Sequence, residues 1–168
     1  MTKNKCVAFA TLLGALVLSP AVRAQSWSTI GTSCSPGVDS IGLYNYSNAT
    51  FEFASGETGT IRTRCQVNNP LDTGVPKWST LTAGFVDPDG THGEYEVQAQ
   101  LVRVNRSTGT TGIIKTLDSD SYPATGPVSR SVSFTHTFDF TNYAYYVTLT
   151  VSRDSSSLSP GVWYASLK

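Results

Sequence analysis

The sequence is poor in charge. Only 14% of its 168 residues are Asp, Glu, Lys or Arg, against roughly 25% in ordinary soluble domains. Twelve basic and twelve acidic side chains cancel, so no basic surface marks a nucleic-acid binder and no nucleic acid is expected as a partner. After residue 18 no apolar run approaches the roughly 20 residues that a membrane-spanning helix needs, so no membrane span is expected. Beyond residue 24 no stretch repeats its apolar residues with a helical period, which argues against a helical fold. Histidine is scarce as well. His92 and His136 are the only imidazoles, and with so few cysteines no close zinc-ligand spacing exists. No serine sits in a Gly-x-Ser-x-Gly elbow. No catalytic residues are assigned, and the chain is read as a non-enzyme.

The N-terminus is organised differently from the rest. Lys3 and Lys5 precede an apolar run from Cys6 to Leu18. Ser19-Pro20 breaks the run, and Val22-Arg23-Ala24 places small residues where signal peptidase reads. This is the three-part pattern of a secretory signal peptide, with cleavage expected after Ala24. The division is therefore residues 1–24 as signal and residues 25–168 as a single domain. Cleavage removes Lys3, Lys5 and Arg23 and leaves an acidic mature chain. The protein is expected to be secreted or periplasmic. Cys6 leaves with the signal, so Cys34 and Cys65 remain as an even pair in an oxidising compartment, and a disulfide between them is expected.

Period-2 alternation runs through the mature chain. Ile61, Thr63, Cys65 and Val67 share one face and Arg62, Arg64 and Gln66 the other. Tyr95, Val97, Ala99 and Leu101 alternate with Glu94, Glu96, Gln98 and Gln100. Val132, Phe134, Phe138 and Phe140 alternate with polar residues, and so do Tyr143, Tyr145, Val147, Leu149 and Val151. Each pattern predicts a half-buried strand. Shorter strands are predicted at Trp27–Ile30, Ile41–Tyr46, Thr50–Ala54, Leu81–Val86, Gly112–Leu117 and Val162–Leu167. Turn signals punctuate them, including Asp87-Pro88-Asp89-Gly90 and Arg106-Ser107-Thr108-Gly109. About ten short strands with one wet face each predict an all-β, antiparallel two-sheet β-sandwich, either a jelly roll or an immunoglobulin-like Greek key. Trp78 follows both cysteines instead of lying between them, so the immunoglobulin signature itself is absent.

Three functional classes fit such a chain. The broadest is a non-catalytic binding or structural role at the cell envelope or outside the cell. A carbohydrate-binding sandwich, with a glycan or envelope component as partner, is a sharper alternative. Aromatic side chains serve such domains as platforms for sugar rings. Tyr146 falls on the outward face of its strand beside Thr148 and Thr150. Trp163 and Tyr164 are neighbours on a strand, so one of them should point outward. Tyr146 and Trp163 are the candidate ligand-binding residues. Asp87 and Asp89 are candidate ligands for a structural calcium, with Glu94 or the Asp118-x-Asp120 loop adding a third carboxylate. The same tetrad also serves as a plain turn. The third class is a subunit of an extracellular assembly, in which the Val162–Leu167 strand would pair with a neighbouring molecule. A monomer is expected ahead of that. His136 is in phase with Phe134 and Phe138, which predicts a semi-buried histidine facing the core.

Overall fold

The computed structural model describes residues 25–70 and 74–168. The predicted signal peptide, and Asp72 and Thr73 of a predicted polar loop, lie outside the described residues. Among the described residues eleven strands form two antiparallel sheets. They are β1 (Trp27–Ile30), β2 (Ser35–Pro36), β3 (Tyr44–Ser47), β4 (Thr50–Phe53), β5 (Gly59–Val67), β6 (Thr80–Val86), β7 (Tyr95–Asn105), β8 (Thr111–Asp118), β9 (Val128–Ser133), β10 (Tyr143–Arg153) and β11 (Gly161–Leu167). Sheet A runs β3-β4-β11-β6-β9, with β1 also pairing β11, and sheet B runs β2-β5-β10-β7-β8. Among the described residues, no helix is long and apolar enough to cross a membrane.

Alternation decides what each sheet buries. Phe51, Phe53, Leu81, Ala83, Phe85, Val162, Ala165 and Leu167 of sheet A meet Ile61, Val67, Val97, Ala99, Leu101, Val147, Leu149 and Val151 of sheet B in one core. Each strand presents alternate residues to opposite faces, so a period-2 sequence places one apolar row inside and one polar row outside. The two sheets are joined early in the chain. β1 belongs to sheet A, and Cys34 follows just before β2 joins sheet B. Cys34 is bonded to Cys65 of β5, as the sequence predicted. The β2 ladder has only two residue pairs, so the covalent bond holds a crossing that hydrogen bonds hold weakly.

Two strand predictions shift. The pattern over Val132–Phe140 predicts a strand there, but the ladder runs Val128–Ser133. Its partner β6 begins at Thr80, opposite Ser133, and only one further backbone bond, Phe134 N–H to Ser79 O at 2.8 Å, continues the pairing. Residues 134–140 keep their alternation without a ladder. Phe134 and Phe138 cap the end of the core, and the Phe138 ring lies 5.0 Å from Trp78. His136 is half-buried against Phe138 and Tyr145, with Nε2 3.2 Å from the Tyr145 hydroxyl. Ile41–Tyr46 is a turn followed by β3, because a 3-10 turn at Val38–Ser40 consumes the preceding residues.

The Val162–Leu167 strand is not an edge. β11 pairs β6 on one side and both β4 and β1 on the other. Its backbone groups are satisfied inside the molecule, so it has no free ladder to offer a neighbouring subunit.

Candidate functional site

The outer face of sheet B carries the candidate site. Its central strand is β10, and the register stacks three rows across the sheet. Gln66, Tyr146, Val102 and Ile113 make the first; Arg64, Thr148, Gln100 and Thr116 the second; Arg62, Thr150, Gln98 and Asp118 the third. A β-bulge in β8 beside Leu101 and Val102 brings Ile113 into the first row, where it is exposed. The middle residues of the second and third rows are short threonines, and longer side chains rise on both flanks. The result is a trough of about 310 Å³ with Thr148 and Thr150 as floor, Arg62 and Arg64 as one wall and Gln98 and Gln100 as the other.

Each wall is preorganised in its own way. The Arg64 guanidinium carbon lies 5.8 Å from the centre of the Tyr146 ring, a cation–π contact that holds both groups. Among the described residues Arg62 has no side-chain hydrogen bond or ion pair, and its backbone N–H donates to Ser40 Oγ at 2.8 Å. On the other wall Gln98 donates to Glu96 Oε1 at 2.6 Å and to Asp118 Oδ2 at 3.0 Å, which aims its amide carbonyl away from those acids. Gln100 donates to Thr116 Oγ1 at 3.4 Å. The trough thus offers guanidinium donors, amide groups, hydroxyls and one phenol ring side by side.

A second hollow, about 400 Å³, opens at one end of the sandwich between Val75, Trp78, Phe134 and His136. Two of its polar side chains are already engaged: Trp78 Nε1 donates to Gln25 O at 2.7 Å, and His136 Nε2 meets the Tyr145 hydroxyl, while Lys77, Ser79, Thr135 and Thr137 line it from exposed positions. Burial and the nearby Arg103 lower the His136 pKa, so the imidazole favours its neutral form.

Trp163 lies on the other sheet. A register shift between Val162 and Tyr164 makes a bulge, and Val162, Ala165 and Leu167 all remain in the core. Both Trp163 and Tyr164 therefore face outward, where the sequence pattern predicts only one of them. Gly84 across the strand makes room: a Cβ there would come within 2.4 Å of both rings. The Tyr164 hydroxyl is hydrogen-bonded to Ser129 Oγ. Tyr146 and Trp163 occupy opposite outer faces and share no site. Sequence reading missed the walls: Arg62, Arg64, Gln98 and Gln100 are legible as outward residues, but only the register sets them around Thr148 and Thr150.

Asp87 and Asp89, the candidate acidic residues, meet Asp120 where the turn after β6 approaches the loop after β8. Asp87 directly follows β6 and is fully buried. Asp89 lies in the turn after it, and Asp120 in the 3-10 turn at Ser119–Ser121 that follows β8. Asp120, of the Asp118-x-Asp120 loop, is the further carboxylate that acts on Asp87. Glu94 is exposed and is held here through its backbone: its N–H donates to Asp89 Oδ2 at 3.1 Å and its carbonyl accepts the Asp154 N–H at 2.9 Å. Burial, chiefly, pushes the Asp87 carboxyl up to about 7; Asp89 and Asp120 add repulsion and the Ser119 hydroxyl opposes it. Burial and the neighbouring Asp118 also raise Asp120, and burial with Asp118 and Asp120 raises Glu96. Oxygens of Glu96, Asp118 and Asp120 lie within 4.8 Å of one another.

No family model matches the chain, and no curated protein matches it. Among solved structures it is similar to the CBM36-1 domain of a multidomain xylanase from the hindgut metagenome of Trinervitermes trinervoides, at 11% identity and TM-score 0.45 over 86% of this chain and 97% of that one. It is similar to the xylan-binding module CBM15, at 9% identity and TM-score 0.47 over 85% and 97%. A low-affinity xylan-binding module, CBM86, from Roseburia intestinalis gives 6% identity and TM-score 0.42 over 86% and 95%. At such identities and scores the likeness transfers neither residue nor ligand to this chain.

Proposed function

We propose that the chain is an exported, non-catalytic, monomeric β-sandwich that binds a glycan in the trough on the outer face of sheet B. The carrying observation is the trough itself, with Thr148 and Thr150 as floor between Arg62 and Arg64 on one side and Gln98 and Gln100 on the other, and Tyr146 at one end. A sugar chain presents hydroxyls around its rim and C–H groups on its ring faces. Planar amides and guanidinia supply paired donors and acceptors for the hydroxyls, and the Tyr146 ring supplies an apolar face with a polar tip. The trough lies along a strand and opens to solvent, which suits a segment of an extended polymer better than an enclosed small molecule. Export is supported by the N-terminal pattern and by the Cys34–Cys65 bond, which belongs to oxidising compartments.

The test is affinity electrophoresis of the purified protein in gels containing xylan, glucomannan, mixed-linkage β-glucan or polygalacturonate. Retardation by at least one polymer is expected, lost in Tyr146→Ala and in Arg64→Ala and retained in Trp163→Ala. Retardation that disappears only with Trp163→Ala would move the site to sheet A. No retardation by any polymer would overturn the glycan reading.

A further inference from the structure

The turn joining β6 to β7 and the loop following β8 converge on a group of carboxylates whose hydrogen bonds are unevenly shared. Asp118 uses both oxygens: Oδ1 accepts the Asp120 N–H at 3.1 Å and Oδ2 accepts Gln98 Nε2 at 3.0 Å. Asp89 Oδ2 accepts the Glu94 and Tyr95 N–H groups at 3.1 and 3.2 Å. These bonds shape the two loops. The remaining oxygens are left over. Both oxygens of Asp87, Oδ1 of Asp89 and Oδ1 of Asp120 are buried, and none meets hydrogen-bond geometry with a donor among the described residues, although the Ser119 hydroxyl lies beside Asp87 and Asp120. Asp87 is 0% exposed, the carboxylates of Asp89 and Asp120 are close enough to disfavour its charge, and the oxygens of Glu96, Asp118 and Asp120 lie within 4.8 Å of one another.

Such an arrangement is costly by itself. A buried acceptor with no donor forfeits its hydration, and an ionised carboxylate forfeits more. Like charges side by side add repulsion. The charged side chains acting on Asp87 and Asp120 are other carboxylates. A chain that only needed a turn here would do well with Asp89 and Gly90, where Asp89 binds its own loop and Gly90 takes φ +73°. Asp87 contributes nothing to that turn that an Asn or Ser would not. What satisfies four inward carboxylate oxygens at once is a hard cation.

We infer that Asp87, Asp89 and Asp120 form a buried divalent-cation site of the calcium type, which ties the β6–β7 turn to the loop after β8. Calcium accepts six to eight oxygen ligands in flexible geometry, which suits carboxylates carried on two loops. Magnesium demands a near-ideal octahedron and keeps its waters. The site lies beside the trough through Asp118, which precedes Ser119 and Asp120 and holds the Gln98 amide, but it does not depend on what the trough binds.

The test is calorimetric titration of EDTA-stripped protein with calcium chloride, together with thermal melting at a series of calcium concentrations. One saturable equivalent is expected, with a midpoint that climbs with the logarithm of calcium concentration once the site fills. Magnesium chloride at equal concentration should produce the smaller shift. Asp87→Asn should abolish the calcium response while melting without calcium at or above the wild-type midpoint, because it removes an unpaired buried charge. Asp120→Asn, on the neighbouring loop, should also lose the response. Melting curves unchanged by calcium or chelator would overturn the inference, as would a calcium response that survives both substitutions. A larger shift with magnesium would overturn the calcium assignment. Trough binding is measured separately by gel retardation, so the two readings fail independently.

Discussion

Removing the Cys34–Cys65 bond is the perturbation whose size the structure fixes best. The two residues are 31 positions apart in sequence. Opening a loop of that size restores denatured-state entropy of about 12 cal/mol/K, or roughly 3.7 kcal/mol at 25 °C in the chain-entropy model. Both half-cystines are buried, so the paired substitution Cys34→Ala with Cys65→Ala is preferable to serine, which would bury hydroxyls. The native state offers little to compensate. β2 pairs β5 through Ser35–Arg64 and Pro36–Thr63 alone, aided by the Gly37 N–H to Arg62 O bond at 2.8 Å. Urea unfolding should therefore lose about 3–4 kcal/mol, and the melting midpoint should fall by roughly 10–15 °C for a domain of this size. The denaturant slope should rise or hold, since the uncrosslinked chain expands further when unfolded. A loss below about 1 kcal/mol would refute the reasoning, because it would mean that the crossing from sheet A to sheet B is held by something other than the bond.

Three further perturbations follow from the same structure. Arg153 is buried, lies over the Phe53 ring, and donates to carbonyls of Glu57, Leu158 and Ala54, including Nε to Glu57 O at 2.7 Å. Arg153→Met strands those carbonyls and should cost about 3 kcal/mol in urea unfolding; an unchanged midpoint would show that water replaces the guanidinium freely. His136 should titrate below 6.5 by NMR, since burial and Arg103 disfavour its charged form. The unfolded chain then binds the proton more readily than the folded one, so this group's contribution is complete above about pH 6.5 and declines as pH falls toward the folded pKa. A titration midpoint at or above 6.5 would contradict the packing against Phe138 and Tyr145. Gly84→Val should destabilise sheet A, because its Cβ would collide with the Trp163 and Tyr164 rings. Tryptophan fluorescence should shift with it, and an unchanged spectrum at wild-type stability would argue against the outward aromatic pair.

Much of the architecture is legible in the chain because one face of each strand is wet. Arg62, Arg64 and Gln66 against Ile61, Thr63 and Cys65 declare both the strand and its orientation. Where a strand is interrupted the pattern misleads. Phe134 to Phe140 alternate as a strand does, yet no partner strand extends past Thr80 to pair with them. The bulge at Trp163 is invisible in the sequence, since it depends on how β11 registers against β6. The candidate site divides along the same line. Tyr146, Thr148 and Thr150 show themselves as outward residues of one strand. Their flanking arginines and glutamines come from β5 and β7, and the three-row grid exists only once β10 lies between them. Asp87 and Asp89 are visible in the sequence as neighbours in a turn, whereas the nearness of Asp120 to them is a matter of loop geometry.

We propose that the outer face of sheet B is a glycan-binding surface organised around Tyr146. Its most direct test is the retardation of the wild type, Tyr146→Ala and Trp163→Ala side by side in gels cast with a soluble polysaccharide that slows the parent protein. Retardation of the wild type and Trp163→Ala, with Tyr146→Ala running as it does without polymer, is the predicted result. Equal retardation of all three, or none by any polymer tried, would contradict the account.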